Sequence, residues 1–356
     1  MKNILITAGG SGGHLYPALA VAEVFKEKGF QVYLLTSRKK PANIRFNSVR
    51  LIEGYSIGWD RSFKGIFKTF WGLLKDFILS IKLLLSLKPS FVLGMGGYTS
   101  ISPILGAFIF GIPRAIHEQN ILPGLANRLL APFVNRIYTS FPDTNFRFYQ
   151  RKVVYTGLPL RREFYNISPF KHDKFTVLVM GGSQGAKVIN DTILEIVEKR
   201  LLEDVRFIHL TGVREYERLK DRIERVNFPD YEIYSYKEDI WTLYERVDLV
   251  ISRAGASTVI ELATLGLPAI LIPYKGAEGH QYLNAQWLAK RGKYLIVDQD
   301  QLLPGYLVEK ILEFKNLRNT EGVSSYRESL NLPNASYRVV EESLKMIGGY
   351  YGGDKY

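Results

Sequence analysis

Four glycine turns and one histidine hold the residues of this sequence best suited to chemistry. The run DLVISRAGASTVIE, Asp248 to Glu261, begins as a short apolar strand over Leu249 to Ile251 and breaks at Arg253-Ala254-Gly255. It resumes with helical spacing through Ile260, Leu262, Ala263 and Leu265. A strand that turns through glycine into a helix offers unpaired backbone N–H groups and a positive dipole end to an anion. Ser257 and Thr258 stand where an N-cap is expected. Glu261 follows one turn later, so a capping box is the structural alternative to a ligand role for it. Gly9-Gly10-Ser11-Gly12-Gly13-His14 and Gly181-Gly182-Ser183-Gln184-Gly185-Ala186 stand in the same strand-to-helix context, and Gly94-Met95-Gly96-Gly97-Tyr98 forms a further loop. Such glycines let a backbone approach a ligand closely. Their spacing is not the dinucleotide pattern GxGxxG. His14, at the mouth of the first loop, titrates near neutrality when unperturbed and so suits proton transfer. A helix-capping or core imidazole is its structural alternative.

The elements that must position these turns alternate along the whole chain. Strands are expected at Ile4–Thr7, Val32–Leu35, Phe91–Leu93, Arg114–Ile116, Arg136–Tyr138 and Val153–Tyr155, with helices at Leu15–Lys28 and Phe63–Leu87. The pattern weakens after Gly157-Leu158-Pro159 and restarts with a strand at Thr176–Val179 and a helix at Ala186–Lys199. Further strands fall at Arg206–His209, Glu232–Tyr234, Leu249–Ile251, Ala269–Ile272 and Tyr294–Val297. Strand-helix alternation implies parallel sheets covered on both faces. The restart implies two of them: an α/β chain of two doubly wound domains, over residues 1–160 and 161–334. The last helix, starting at Ala335, has no strand after it and is expected to pack back on the first domain. Glycine loops at the carboxyl ends of parallel strands point to a cleft, because open α/β sheets bind ligands there.

Composition narrows the classes. Hydrophobic residues make up 46% and charged residues 23%, which excludes a disordered chain. The absence of cysteine excludes disulfides, thiolate metal sites and cysteine nucleophiles. A formal charge of +12 favours acidic partners such as phosphates or an anionic membrane face. Met1-Lys2-Asn3 leads straight into a strand too short to be the core of a signal peptide. Phe91 to Pro113 lacks any charged residue until Arg114, yet Gly94, Gly96, Gly97 and Pro103 interrupt it. A buried strand, a glycine loop and a buried helix explain it better than a membrane span. Asp298-Gln299-Asp300 spells DxD, a metal-holding pattern elsewhere, but its position at the end of a late strand reads as a solvated turn.

The helix from Phe63 has a different character. Phe63, Ile66, Phe67, Phe70, Leu74, Phe77, Ile78 and Ile81 recur at helical spacing, Trp71 and Leu73 widen the stripe, and Lys64, Lys68, Lys75, Lys82 and Lys88 punctuate it. Aromatic residues with lysines suit a helix lying on an anionic bilayer. No nucleic-acid fold signature accompanies the basic charge.

The motifs together resemble the MurG family of bacterial transferases. The resemblance rests on GGSGGH followed by Pro17, VLGMGGY at 92–98, HEQN at 117–120, GLPLR at 157–161, GGSQGA at 181–186, SRAGASTVIE at 252–261, LGLPAILIPY at 265–274 and HQYLNA at 280–285. It covers nearly the whole chain. It implies a GT-B fold, two Rossmann-like domains facing across a cleft. It also implies inverting transfer of N-acetylglucosamine from UDP-N-acetylglucosamine to the 4-hydroxyl of undecaprenyl-pyrophosphoryl-muramoyl-pentapeptide. Carried over residue by residue, it places Ser11, Gly12 and Gly13 near the sugar and acceptor, and Asn120 at the donor sugar. Arg161 and Ser183 fall on the donor nucleotide and its diphosphate. The turn Gly255-Ala256-Ser257-Thr258-Val259-Ile260 falls on the diphosphate, Glu261 on the ribose, backbone near Lys237 on uracil, and His280 and Gln281 on the sugar. Gly94, Gly96, Gly97 and Tyr98 form an acceptor loop. The base is His14 or Glu118, the latter needing a raised pKa. No cofactor or metal is implied, since N–H donors, Arg161 and a helix end can stabilise a departing diphosphate. The expected partners are UDP-N-acetylglucosamine, the lipid-linked muramoyl-pentapeptide, an anionic membrane surface met through Phe63, Phe67, Lys68, Phe70, Trp71 and Lys75, and cell-wall and division proteins. The expected place is peripheral, on the cytoplasmic face of the cell membrane.

Two departures stand out. Ser37-Arg38-Lys39-Lys40-Pro41 replaces a stretch that usually carries a Met-Glu pair, and Leu158 replaces a common Asn. Alternatives to the transferase are a related enzyme with another UDP-sugar or lipid acceptor, a UDP-sugar epimerase on the same fold, and a membrane-docked scaffold that binds without turnover.

Overall fold

The computed structural model describes residues 2–38, 46, 49–55, 63–167, 174–276, 279–321, 329–330, 332 and 334–350. The chain divides into two compact units, Met1–Arg161 with Leu332–Tyr356, and Arg162–Asn331. The first unit runs β1 (Asn3–Ala8), α1 (Gly12–Glu27), β2 (Gln31–Ser37), β3 (Arg50–Gly54), α2 (Phe63–Leu87), β4 (Phe91–Gly94), α3 (Ile101–Ile109), β5 (Arg114–Glu118), α4 (Leu125–Leu130), β6 (Arg136–Thr139) and β7 (Val153–Tyr155). Its strands form one parallel sheet in the order β3-β2-β1-β4-β5-β6-β7. β4 and β5 are buried at every position, as continuous apolar strands covered on both faces must be. The uncharged run after Phe91 becomes β4, the glycine loop and α3. The far end of α3 is not buried, however: Phe108, Ile109 and Phe110 are exposed.

The second unit runs β8 (Phe175–Met180), α5 (Lys187–Glu198), β9 (Val205–Leu210), α6 (Val213–Arg225), β10 (Tyr231–Tyr234), α7 (Trp241–Tyr244), β11 (Leu249–Ser252), α8 (Ala256–Leu265), β12 (Ala269–Leu271), α9 (His280–Ala289), β13 (Tyr294–Ile296) and α10 (Pro304–Glu321). Its parallel sheet has the order β10-β9-β8-β11-β12-β13. Both sheets are doubly wound. Their strand order reverses between β1 and β4 in one and between β8 and β11 in the other.

Helix α11 (Ala335–Tyr350) returns to the first unit. Val339, Val340 and Ile347 join the core formed by Ile4, Ile6, Leu15 and Val21. Each such buried side chain contributes about 1.5–3 kcal/mol. Ser343 Oγ lies 3.1 Å from the buried Tyr138 hydroxyl, and Tyr337 donates to Glu27 at 3.0 Å.

Candidate active site

In the first unit, the loops after β1 and β4 meet where the strand order reverses. Gly9 N–H donates to the Gly96 carbonyl at 3.0 Å, and Met95 N–H donates to the Thr7 carbonyl at 2.7 Å. His14 is wedged between the loops. A Cβ on Gly9 would lie 2.8 Å from His14 Nδ1, and one on Gly96 would lie 3.0 Å from Cδ2 and Nε2. Gly96 also has φ +87°. The two glycines are therefore space for an imidazole as much as freedom for a turn. Gly94 is different: Ser100, Ile104 and Ile116 fill the place of its side chain, which makes it a packing residue at the end of β4. Tyr98 opens the short 3-10 turn that follows.

Ser11 is the N-cap residue of α1, and its side chain makes no cap bond. Its Oγ lies 2.9 Å from His14 Nδ1 instead. With Nδ1–H donating to Ser11, the Nε2 lone pair is the basic one. The ring keeps some exposed surface, yet the surrounding loops remove enough water to lower its pKa from 6.5 to about 4. His14 is thus neutral at pH 7 and able to accept a proton. Gly12 and Gly13 form the first turn of α1, with Gly13 exposed.

The HEQN segment supports this cradle from β5. His117 Nε2–H donates to the Gly157 carbonyl at 3.0 Å, which leaves Nδ1 to accept from Gln119 Nε2 at 3.3 Å. Gln119 Nε2 also donates to the Met95 carbonyl at 3.0 Å, tying the GMGGY loop to the end of β5. Burial lowers the His117 pKa to about 4, consistent with this neutral tautomer. Neither His117 nor Gln119 was singled out from sequence, although both stand inside the HEQN motif. Glu118 is buried and accepts four donors. Oε1 takes Asn120 N–H (2.9 Å) and Asn120 Nδ2 (3.4 Å), and Oε2 takes Gly124 N–H (2.9 Å) and Asn127 Nδ2 (2.8 Å). A carboxylate has about four lone-pair sites, so all of them are committed to the turn. Burial still raises its pKa, as a base would need, but geometry makes Glu118 a positioning residue for Asn120. Arg161 lies over the Tyr16 ring of α1, 4.2 Å from its centroid.

In the second unit the loops after β8 and β11 occupy the equivalent reversal. The N-cap of α8 is Gly255, with φ −64° and ψ 149° and no capping side chain. This corrects the expectation for Ser257 and Thr258, which lie inside the first turn. The glycine leaves the helix end uncovered, and nothing lies within 4 Å of the position a Cβ would take there. No acidic residue occupies the first turn, so the positive dipole end is uncompensated. Ala256, Val259 and Ile260 are buried, and Val259 N–H already donates to the Gly255 carbonyl at 3.0 Å. An anion would therefore meet the N–H groups of residues 256–258, not the side chains of Val259 and Ile260. Glu261, the sixth residue of α8, is too far along for a capping box. Its Oε2 accepts from the Tyr244 hydroxyl at 3.0 Å. Arg253 precedes the turn, and its guanidinium is already engaged. It donates to the carbonyls of Ile272 (3.0 Å) and Pro273 (3.3 Å) and to Gln299 Oε1 (2.7 Å).

Ser183 is exposed in the GGSQGA loop, and its carbonyl accepts from Val213 N–H at 3.2 Å. Gly185 has φ +86°, and a Cβ on it would lie 2.0 Å from the Thr211 carbonyl. That carbonyl is fixed from below. Asn190 Nδ2 donates to it at 2.9 Å, while Asn190 Oδ1 accepts from His209 Nε2 at 2.9 Å and Tyr231 donates to His209 Nδ1 at 2.8 Å. Burial lowers the His209 pKa to about 3. Lys237 pairs with Asp239 at 3.3 Å in the loop after β10. His280 and Gln281 open α9, and Gln281 Oε1 accepts from Tyr274 N–H at 2.9 Å. The DxD residues form a short turn in which Asp300 pairs with Lys275.

Along α2, Trp71, Leu74, Ile78 and Leu85 are exposed on one stripe, beside exposed Lys75, Lys82 and Lys88. The side chains of Phe63, Phe67, Lys68 and Phe70 lie outside the described residues. Among the described residues no helix is long and apolar enough to cross a membrane.

Comparison with known proteins identifies the assembly. The Glycosyltransferase family 28 N-terminal domain matches residues 4–139, and the Glycosyltransferase family 28 C-terminal domain matches residues 176–331. The UDP-N-acetylglucosamine–N-acetylmuramyl-(pentapeptide) pyrophosphoryl-undecaprenol N-acetylglucosamine transferase of Lawsonia intracellularis is 36% identical over 337 residues, 89% of this chain and 90% of that protein. The crystal structure of Acinetobacter baumannii MurG superposes with a TM-score of 0.72 at 28% identity, covering 97% of this chain and 100% of that one. The UDP-GlcNAc 2-epimerase from Methanocaldococcus jannaschii reaches a TM-score of 0.63 at 15% identity, over 97% and 99% of the two chains, and shows the shared fold alone. Two doubly wound parallel-sheet domains of the GT-B type, with near full-length similarity at this level, mean that the chain belongs to glycosyltransferase family 28 and, within it, to the MurG family.

Proposed function

We propose that the chain transfers N-acetylglucosamine from UDP-N-acetylglucosamine to the 4-hydroxyl of undecaprenyl-pyrophosphoryl-muramoyl-pentapeptide, with inversion. The observation that carries this reading is the near full-length similarity to a protein named for that transfer. The glycine-cradled His14 supplies a proton acceptor for it. The acceptor oxygen bonds to the anomeric carbon as the bond to the diphosphate breaks. Its proton passes to His14 Nε2, and the electron pair leaves with uridine diphosphate. The N–H groups of residues 256–258, Arg161 and Ser183 receive the growing charge, which in this reading needs no metal or cofactor. Glu261, oriented by Tyr244, takes the ribose hydroxyls. Backbone near Lys237 meets uracil. Asn120, held by Glu118, orients the donor sugar with Gln281 and His280. Ser11, Gly12, Gly13 and the loop around Gly96, Gly97 and Tyr98 take the acceptor.

The exposed stripe of α2, together with the apolar end of α3, supports peripheral attachment to an anionic bilayer, on the cytoplasmic face where the nucleotide sugar is found. Incubation with labelled UDP-N-acetylglucosamine and the lipid-linked acceptor tests the reading. Label in the lipid fraction supports it. Free sugar or an epimer without labelled lipid refutes it.

A further inference from the structure

A second basic site lies at the carboxyl edge of the first sheet, beyond the glycine loops. Tyr55 follows β3, and its ring is approached by two cations. The Arg38 guanidinium lies 4.8 Å from the ring centroid and Lys75 Nζ lies 6.0 Å from it. The three come from separate elements: the end of β2, the end of β3 and the middle of α2. The arrangement is built rather than incidental. Asp76 of α2 is buried, and its Oδ1 accepts from Tyr55 N–H at 2.6 Å. Asp76 also packs closely on Gly54, where a Cβ would lie 3.0 Å from the same oxygen. The buried carboxylate thus fixes Tyr55 while Lys75, its neighbour in sequence, stays exposed. Among the described residues neither Arg38 nor Lys75 makes an ion pair. Both cations border the same exposed ring, so an anion held beside Tyr55 would meet two positive charges.

We propose that Arg38, Tyr55 and Lys75 form the subsite for the diphosphate of the acceptor, resting on the transfer reading above. Three placements favour it. In the sheet register Ala8 pairs with Thr36 and Thr36 with Glu53, so Arg38 and Tyr55 share the edge from which the His14 loop rises. They stand one and two strand spacings away, about 10 Å at most across the sheet. A sugar whose 4-hydroxyl meets His14 would carry its diphosphate over such a gap. The exposed apolar residues Trp71, Leu74 and Ile78 lie within one turn of Lys75 on α2, as a substrate with a doubly charged head and a prenyl tail requires. Arg38 offers a planar fork suited to phosphate oxygens and Lys75 a mobile point charge.

The test uses the full-length protein and two substitutions at exposed positions, Arg38→Ala and Lys75→Ala, with Arg38→Lys as the conservative variant. The proposal expects each alanine variant to raise the KM for a short-chain prenyl-diphosphate muramoyl-pentapeptide about tenfold. The KM for UDP-N-acetylglucosamine should stay unchanged, and Arg38→Lys should recover part of the loss. Flotation with phosphatidylglycerol vesicles should match wild type for Arg38→Ala; Lys75→Ala, beside the membrane stripe of α2, should weaken it, so its acceptor KM is read with the short-chain substrate in the absence of vesicles. An unchanged acceptor KM overturns the subsite. So does a loss of vesicle binding that accounts for the whole defect on membrane-borne acceptor and vanishes with the short-chain one, which would assign these residues to phospholipid headgroups. Failure of the wild type to transfer label would instead overturn the transfer reading itself.

Discussion

Gly9→Ala isolates the geometry on which the proposed base depends. The Gly9 φ is outside the left-handed region, so the substitution adds no backbone strain. Its new Cβ would stand 2.8 Å from His14 Nδ1, where ordinary contact begins at 3.4 Å. The imidazole must retreat by about 0.6 Å or rotate, and the 2.9 Å contact with Ser11 Oγ is the first interaction lost. One neutral hydrogen bond is worth about 0.5–1.5 kcal/mol, so stability should fall by about 1 kcal/mol and Tm by roughly 2–4 °C. Activity should suffer far more. Misplacing a reacting group by about an ångström costs on the order of 100-fold in rate. The assay is steady-state transfer to the lipid acceptor, with thermal unfolding alongside. Gly305→Ala serves as control, because nothing lies within 4 Å of that Cβ position. The expected result is a kcat loss of about 100-fold with an unchanged KM for UDP-N-acetylglucosamine. A kcat within about twofold of wild type in a folded Gly9→Ala protein would refute the reasoning that this cradle positions the base.

Glu261→Ala should raise the donor KM about tenfold or more while sparing the fold, because its Oε2 meets the Tyr244 hydroxyl and not a backbone N–H of the helix end; an unchanged donor KM would return Glu261 to a structural role. Glu118→Gln keeps size but turns an amide N–H₂ toward donors of the 120–127 turn. Leaving buried donors unpaired costs about 1–3 kcal/mol, so Tm should drop with kcat, and an unaltered Tm would contradict the anchoring role. His117 and His209 have folded pKa values of about 4 and about 3, below the unfolded 6.5. Their stabilising contribution is therefore complete above pH 6.5 and lost as pH falls toward 4, amounting to about 2 kcal/mol each by pH 5. Imidazole carbon chemical shifts should show both rings neutral at pH 5, and a midpoint near 6.5 for either would contradict the assignment.

Much of the fold was legible because buried parallel strands are apolar throughout and helices restore a longer period. β3 was not anticipated. Arg50-Leu-Ile-Glu-Gly is a half-exposed edge strand with a charge near either end, so it lacks the continuous apolar signature of β4 or β8. The glycine turns announced their own importance, but not what each glycine makes room for. Gly96 accommodates an imidazole and Gly94 a packed core, a difference visible only once Gln119 and Ile116 have been brought beside them. Ser257 and Thr258 looked like caps because their types suit the role, whereas the N-cap is Gly255, two residues before Ser257. Glu118 shows the same limit of local sequence. It stands in a motif that suggests proton transfer, and its oxygens are met by the Gly124 N–H and the Asn127 amide, neighbours that local sequence cannot place.

Helix α11 has a consequence for synthesis on the ribosome. The surface of α1 that it covers is made first, yet its cover is translated only after the whole of Arg162–Asn331 has emerged. At about 5–20 residues per second that interval lasts on the order of 10–30 seconds. Throughout it the nascent amino-terminal half displays an oily, uncovered flank, and its maturation is timed by the arrival of α11 rather than by its own sequence.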